Sequence, residues 1–185
     1  LMFAGRPDVD GASTQLYALN ITDGSLKQIT DVEGGVANVK VAPDAKHVAF
    51  TMDVKLDATV NEVHEDLPFA DARIIDGLMY RHWDAWHDYA YSHLFVAPIG
   101  DDLKAGEHMD LMEGMRVDCP VPPFGGSEQF NWSPDGEWIA FTMKEVERWA
   151  ESTDSDVHLV SLDAPTERRN VSDGRDGYDN DPTFS

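Results

Sequence analysis

The sequence predicts an all-β fold, a partial β-propeller of about three four-stranded antiparallel blades with a partly helical insertion at 53–91. A strand–turn–strand pattern occurs at 39–50 and 130–141, and its first residues recur at 182–185. Short apolar segments that suit a third and a fourth strand follow these hairpins. Four antiparallel strands in a repeat of about 50 residues are typical of a propeller blade.

The residue types of the hairpin turn favour one backbone conformation. In the complete copy Pro134 fixes φ at the first turn position, Asp135 bonds the local backbone, and Gly136 accepts a left-handed conformation. The other copy carries Ala45 in place of this glycine. Ala45 therefore either keeps the left-handed backbone at a cost of about 1 kcal/mol or relaxes the turn to another type. The apolar run at 139–141 is expected of a strand that is buried on both faces.

The remaining strands are found by alignment from these hairpins. Third strands are predicted at 15–19, 93–97 and 156–160, and fourth strands at 26–30 and 168–172. Short polar turns join the third and fourth strands of the first and last copies, as in β-hairpins.

One blade is longer than the others. The chain needs 44 residues from Phe50 to Leu94, but only 16 from Phe141 to Val157, so the excess lies between a second and a third strand. Propellers close with about four to eight blades, and the chain is therefore expected to be a fragment of one β-propeller domain of a longer protein. Its predicted parts are a partial blade at 1–30, a blade at 36–118 with the insertion at 53–91, a blade at 128–172 and the start of the next blade at 182–185.

Charge argues against two classes of partner. The net charge is −21, from 35 acidic and 14 basic residues. Such a surface repels nucleic acid and anionic membranes, and no apolar stretch is long enough for a membrane span. A soluble acidic surface and an acidic cavity for a cationic group, such as a peptide amino terminus, both fit this charge. Cys119 is the only cysteine, which excludes a disulfide within this chain and leaves the compartment undecided.

The insertion carries a dense group of aromatic and histidine residues between positions 79 and 93. Residues 71–82 are predicted to form a short helix that begins near Asp71. In a four-stranded blade, the link between strands two and three lies on the same face as the links between blades. The insertion should therefore stand at one mouth of the central channel, and segment 144–149 of the next blade should make a short excursion at the same mouth.

Two segments of the insertion blade carry a family resemblance. Residues 80–86, Tyr-Arg-His-Trp-Asp-Ala-Trp, and residues 92–96, Ser-His-Leu-Phe-Val, resemble the propeller of the prolyl oligopeptidase family, in its dipeptidyl-peptidase V and acylaminoacyl-peptidase branch. The Ser-Pro-Asp-Gly hairpin is shared more widely, including by the periplasmic Tol-associated propeller. The resemblance covers essentially the whole chain. It implies a propeller that caps a C-terminal α/β-hydrolase domain, and it suggests a periplasmic location.

The resemblance implies a function for the chain as part of a larger enzyme. We expect the non-catalytic lid and substrate filter of a serine exopeptidase that releases dipeptides or acylated residues from the N-terminus of oligopeptides. The alternative is a non-enzymatic propeller for protein–protein binding, similar to the Tol-associated type. The chain contains no Gly-x-Ser-x-Gly elbow, so no catalytic residue is assigned in it.

The expected partners follow from the same resemblance. They are the C-terminal α/β-hydrolase domain of the parent chain and an oligopeptide substrate, with no nucleic acid and no membrane. Unpaired blade edges and exposed apolar faces predict that the fragment self-associates.

The candidate substrate-binding residues lie in the insertion. They are Arg81, Trp83 and Asp84, together with the acidic pair Glu65 and Asp66, because some relatives hold the substrate amine with paired glutamates. A structural alternative is an ion pair between Arg81 and Asp84, with Trp83 packing the insertion onto the blade. The histidines at 82, 87 and 93 match no helical metal-binding motif, and neither a metal nor a cofactor is predicted.

Overall fold

A computed structural model describes residues 1–87, 89–146, 149–174 and 176–185. Asp88 of the predicted insertion and residues 147–148 of the predicted excursion lie outside the described residues. The strands are β1 (Met2–Gly5), β2 (Gln15–Leu19), β3 (Leu26–Gln28), β4 (Ala37–Val41), β5 (His47–Lys55), β6 (Arg81–His82), β7 (Ala85–Trp86), β8 (Ala90–Pro98), β9 (Met109–Asp110), β10 (Phe130–Trp132), β11 (Trp138–Met143), β12 (Asp156–Ser161) and β13 (Ala164–Asn170). One α-helix, α1 (Val60–Val63), lies in the insertion, and short 3-10 turns span Ser127–Gln129 and Trp149–Glu151.

Three antiparallel sheets follow one another along the chain and confirm the predicted partial propeller. Their strand orders are β1-β2-β3, β4-β5-β8-β9 and β10-β11-β12-β13. In the middle sheet, β5 and β8 pair over nine residues, from His47 opposite Pro98 to Lys55 opposite Ala90. The chain between these two strands is the insertion, so a long regular ladder fixes both of its ends.

The core lies between neighbouring sheets. One buried cluster joins the first and second sheets: Leu16, Ile29, Val36, Val48, Phe50, Phe95 and Ala97. A second cluster joins the second and third sheets and includes Ala49, Leu94, Val96, Phe130, Ile139, Phe141 and Val160. Alternate residues of β5 and β8 therefore enter different clusters, because successive side chains of a strand point to opposite faces. A strand buried on both faces is expected to be apolar, as β5 is at 48–50 and β8 at 94–97.

The two hairpin turns have the same conformation. The N–H of Gly136 donates to the Ser133 carbonyl at 2.9 Å, and the N–H of Ala45 donates to the Ala42 carbonyl at 2.9 Å. Gly136 has φ +75° and Ala45 has φ +57°. Ala45 therefore keeps the left-handed backbone, which an L-residue adopts at a cost of about 1–2 kcal/mol.

The helix predicted at 71–82 is wrong, although the insertion does contain helix. The helical turn is α1, where Thr59 and Glu62 form a capping box. Residues 71–80 have no regular structure, and residues 81–82 form β6, which pairs with β7. The segment is exposed along nearly its whole length, so no buried face stabilises a helix there, and short helices are marginal without tertiary packing.

Strand lengths differ modestly from the sequence-based predictions. The fourth strands run over 26–28 rather than 26–30 and over 164–170 rather than 168–172, and the middle sheet has an additional fourth strand, β9, which no pattern indicated. Residues 182–185 form no strand in the described structure, and their assignment to a further blade stays a prediction. The single α-helix in the described part is four residues long, far short of a bilayer.

We expect the turn residues to change stability in opposite directions. Ala45→Gly should stabilise the chain by about 1 kcal/mol, because glycine adopts positive φ without strain. Gly136→Val should destabilise it by about 1–3 kcal/mol, because valine would be forced into that conformation. A Cβ at position 136 would also lie 3.3 Å from the Asp44 carboxyl group. Urea unfolding monitored by tryptophan fluorescence measures both changes, and an unaltered midpoint for Gly136→Val would contradict the strain argument.

Candidate functional site

Three segments of the chain meet around a cavity of about 580 Å³. They are the β6–β7 hairpin with its flanks at 78–87, the link that leads from the second sheet to the third at 116–123, and residues Lys144, Val146 and Trp149 after β11. Cavities of this size are typical of sites for small ligands. The strand order explains the meeting, since the insertion, the interblade link and the segment after β11 all leave their sheets at the same end.

Aromatic rings form much of the cavity wall. Trp83 packs edge-to-face on Phe124 of the link, with ring centroids 5.6 Å apart. Tyr80 stacks on Trp86 at 6.0 Å, and the Arg81 guanidinium lies 5.7 Å from the centre of the Trp86 ring. Indole rings bind apolar groups and cations with their faces, so this wall suits a ligand that carries such groups.

A carboxylate at the end of β5 organises one side of the cavity. Asp57 accepts hydrogen bonds from the Tyr91 hydroxyl at 2.8 Å and from Nε of Arg116 at 2.7 Å. Burial alone would raise the pKa of Asp57, but the bonds from Arg116 and Tyr91 outweigh it and lower the pKa below its usual value. Burial and the Asp57 carboxylate raise the pKa of Tyr91 to about 12. The Arg116 charge is therefore paired, and the tyrosine stays a hydroxyl at physiological pH.

A buried histidine fastens the interblade link to β8. His93 is fully buried; its Nδ1 lies 2.8 Å from Oδ2 of Asp110, and its Nε2 lies 2.8 Å from the Met115 carbonyl oxygen. Both partners are acceptors, so both ring nitrogens are satisfied only when the imidazole carries two protons. Burial lowers the pKa of His93, but the Asp110 carboxylate outweighs burial and the net effect raises it. Asp118 of the link also accepts from the Ser92 N–H at 2.8 Å, so the wall that carries Arg116 is held at two points.

The curated relatives of the chain are peptidases. Over 179 residues the chain is 37% identical to dipeptidyl-peptidase 5 of Porphyromonas gingivalis, a match that covers 95% of this chain and 26% of that protein. It is 32% identical over 137 residues to dipeptidyl-peptidase 5 of Aspergillus fumigatus, covering 69% of this chain and 19% of the relative. The chain belongs to the prolyl oligopeptidase family.

Solved structures show the same fold. The acylaminoacyl peptidase of Pyrococcus horikoshii superposes with a TM-score of 0.56 at 10% identity, over 92% of this chain and 23% of that one. An acylaminoacyl peptidase in complex with Z-Gly-Gly-Phe-chloromethyl ketone gives a TM-score of 0.55 at 9% identity. No protein-family model matches the chain. This member of the prolyl oligopeptidase family thus spans about a quarter of the length of the curated relatives it matches.

The structure separates the candidate residues into two groups. Arg81, Trp83 and Asp84 line the cavity, with Trp83 and Asp84 at the tip of the β6–β7 hairpin. Glu65 and Asp66 are exposed in the loop after α1 and do not line it. Within the described residues, Arg81 and Asp84 form no ion pair with each other, and Trp83 contacts the interblade link. The ion pair of the structural alternative is therefore absent from the described part of the chain, whereas Trp83 packs the insertion on the interblade link, close to the packing role that this alternative gave it.

Sequence reasoning missed part of this site. Arg116 and Asp118 lie in a polar stretch without periodicity, and Tyr91 was placed in the insertion without a role. Segment 144–149 was expected at this mouth, and its residue Lys144 does line the cavity. In the part of the chain that the structure describes, no group of three or more histidine, cysteine, aspartate or glutamate residues could hold a metal ion.

The His93 contacts predict a specific pH dependence of stability. Because the folded state raises the pKa of His93, the folded protein binds this proton more tightly than the unfolded chain does. The stabilisation is therefore complete below the ordinary histidine pKa, about 6.5, and is lost as the pH rises through the raised value. Asp110→Asn keeps the shape of the acceptor but removes its charge. We expect it to destabilise the chain by about 1–3 kcal/mol near pH 6 and by clearly less near pH 9.

Urea unfolding at several pH values measures this difference between the variant and the unmodified chain. His64→Asn, at an exposed histidine in the insertion, is the matched control and should leave the pH profile unchanged. His158 works in the opposite sense, because burial and the nearby Arg168 charge lower its pKa and it costs stability in acid. An equal loss for Asp110→Asn at both pH values would show that His93 is not charged in the folded protein.

Proposed function

We propose that this chain is the non-catalytic propeller portion, the lid and substrate filter, of a serine exopeptidase that releases dipeptides or acylated residues from the amino end of oligopeptides. The observation that carries the proposal is the aromatic cavity between the insertion, the interblade link and the segment after β11, in a chain whose relatives are named dipeptidyl-peptidase 5. The nucleophile, its base and the oxyanion hole would belong to an α/β-hydrolase domain elsewhere in the parent protein. The missing Gly-x-Ser-x-Gly elbow supports this division.

The dimensions of the cavity support the role of a filter. A folded domain of 100 residues has a radius of gyration of about 13 Å, which is too large for a cavity of about 580 Å³. An extended peptide can enter it with two or three side chains. In this proposal Trp83 packs on such a side chain, and Arg81 and Asp84 bind its backbone or polar groups. Glu65 and Asp66 would be reached only by a ligand that extends beyond the cavity.

The blade assignment belongs to the same proposal. Residues 1–30 would be a partial blade, 36–118 and 128–172 two whole blades, and 182–185 the start of another. The exposed apolar residues of the insertion, such as Phe69 at 97% and Leu78 at 70% exposure, would then be available to contact the hydrolase domain of the parent.

If the catalytic residues lie in a separate hydrolase domain, only the full-length parent should show peptidase activity. The full-length parent should release dipeptides from chromogenic dipeptidyl substrates and should lose this activity with an organophosphate that labels serine nucleophiles. The isolated 185-residue chain should release none, because it holds no nucleophile elbow. Hydrolysis by the isolated chain that a substitution in this chain abolishes would refute the proposal. A full-length parent without peptidase activity would favour the non-enzymatic alternative.

The cavity wall predicts a substrate-binding defect. In the full-length parent, Trp83→Ala should raise KM for oligopeptides about tenfold, because an apolar contact surface is lost, and should leave the rate of organophosphate labelling unchanged. Arg81→Met should also raise KM for oligopeptides, but by a smaller factor. Trp138→Ala is the matched control, since Trp138 is 39% exposed and follows the hairpin turn at the opposite end of its sheet. Equal KM values for the Trp83 and Trp138 variants would remove Trp83 from the site.

A further inference from the structure

Lys144 is a buried cation at the cavity wall. Its side chain leaves β11 directly after Met143, lines the cavity, and is only 8% exposed. The ammonium group donates to the Trp149 carbonyl oxygen and lies 4.2 Å from the centre of the Trp149 ring. Among the residues that the structure describes, no carboxylate lies within ion-pair distance of it. The Asp154 charge acts on it from farther away.

This arrangement leaves binding capacity unused. An ammonium group has three donors, and the contacts of Lys144 with the described residues use one of them and the ring face. A buried charge is costly unless it is paired, and burial accordingly lowers the pKa of this lysine. Because the described residues supply no anion at ion-pair distance and Lys144 lines the cavity, we expect its partner to arrive there as part of a ligand.

The other charges of the cavity wall do not oppose an anionic ligand group. Arg116 is paired with Asp57, and Asp118 accepts from the Ser92 N–H and lies 3.4 Å from Nε2 of His87. Among the described residues, the carboxylates Asp57, Asp84 and Asp118 balance the cations Arg81, Arg116 and Lys144. The cavity is therefore close to neutral in a chain of net charge −21. A carboxylate that binds at Lys144 thus meets no excess of negative charge in the cavity wall.

We propose that Lys144 binds a carboxylate of the peptide that occupies the mouth cavity, with the apolar neighbour of that carboxylate packed on the tryptophan wall. The inference rests on the proposed function only in taking a peptide as the ligand. Lysine is a compact point charge that does not discriminate by shape, so the carboxylate can belong to the C-terminus or to an acidic side chain. A C-terminal carboxylate held here would make the site select short peptides, because the chain end must reach the cavity.

Tryptophan fluorescence of the full-length parent tests this proposal. The parent is first treated with the organophosphate, so that peptides are bound but not cleaved. It is then titrated with N-acetyl-Ala-Ala-Phe as the free acid, with the same peptide as the C-terminal amide, and with N-acetyl-Ala-Glu-Phe-amide. Acetylation removes the amino group from the comparison. We expect the free acid, the glutamate amide or both to bind at least about tenfold tighter than the neutral amide.

Substitutions at Lys144 show whether this lysine causes the preference for carboxylates. Lys144→Met keeps the length and the apolar stem, and it should abolish the preference for carboxylates while the neutral amide still binds. Lys144→Arg should retain most of the preference, and Lys46→Met, at an exposed lysine in the hairpin turn of the second sheet, is the matched control. A preference for the free acid identifies the C-terminus as the source, and a preference for the glutamate amide identifies an acidic side chain.

Three results would overturn the proposal: equal affinity for all three peptides, a preference that survives Lys144→Met, or no binding of any peptide at millimolar concentration. The outcome is separate from that of the proposed function. A parent that discriminates carboxylates but cleaves no peptide refutes the peptidase and leaves the carboxylate site. A parent that cleaves peptides but binds the free acid and the amides equally supports the peptidase and refutes the carboxylate site.

Discussion

The β5–β8 ladder, packed on both faces, is the constraint on which the other features depend. Phe50 and Phe95 lie opposite each other in it, with ring centroids 5.9 Å apart, and belong to the cluster shared with the first sheet. Leu94 and Val96 belong to the cluster shared with the third sheet. A strand pair that is buried on both faces cannot shift register, because a shift of one residue would move each side chain to the opposite face. Neighbouring sheets are thereby held in fixed positions, and the ends of the insertion are fixed with them.

The cavity is a consequence of this packing rather than a property of one sheet. Its walls come from the insertion of the second sheet, the link to the third sheet and the segment that follows β11. The link has little regular structure and is held by a few hydrogen bonds: His93 binds the Met115 carbonyl, Asp118 accepts from the Ser92 N–H, and the Cys119 N–H donates to the Ser92 carbonyl. These contacts take the place of the backbone ladder that a further strand would have provided. One of them depends on His93, so the position of this wall depends on a titratable group.

Charge is distributed unevenly between the surface and the cavity. The chain as a whole carries a net charge of −21, whereas in the cavity wall Arg81, Arg116 and the buried Lys144 stand beside Asp84 and Asp118. An acidic exterior slows the approach of anions at long range, but the cationic groups act at contact, where screening is weak and water is excluded. A peptide carboxylate would therefore be recognised by local pairing and not by the field of the whole chain.

Local chemistry explains what the sequence by itself determined. Pro-Asp-Gly turns and strand periodicity are properties of neighbouring residues, so the hairpins, the antiparallel sheets and the position of the insertion could be predicted, and the positive φ at Gly136 with them. The conformation of residues 71–82 could not, because an exposed segment with few contacts follows neither pattern. Arg81, Trp83 and Asp84 were found through their unusual composition. The sequence placed segment 144–149 beside the insertion. Tertiary structure alone brought Arg116 into the site, since packing of the second sheet on the third brings together residues that are distant in the chain.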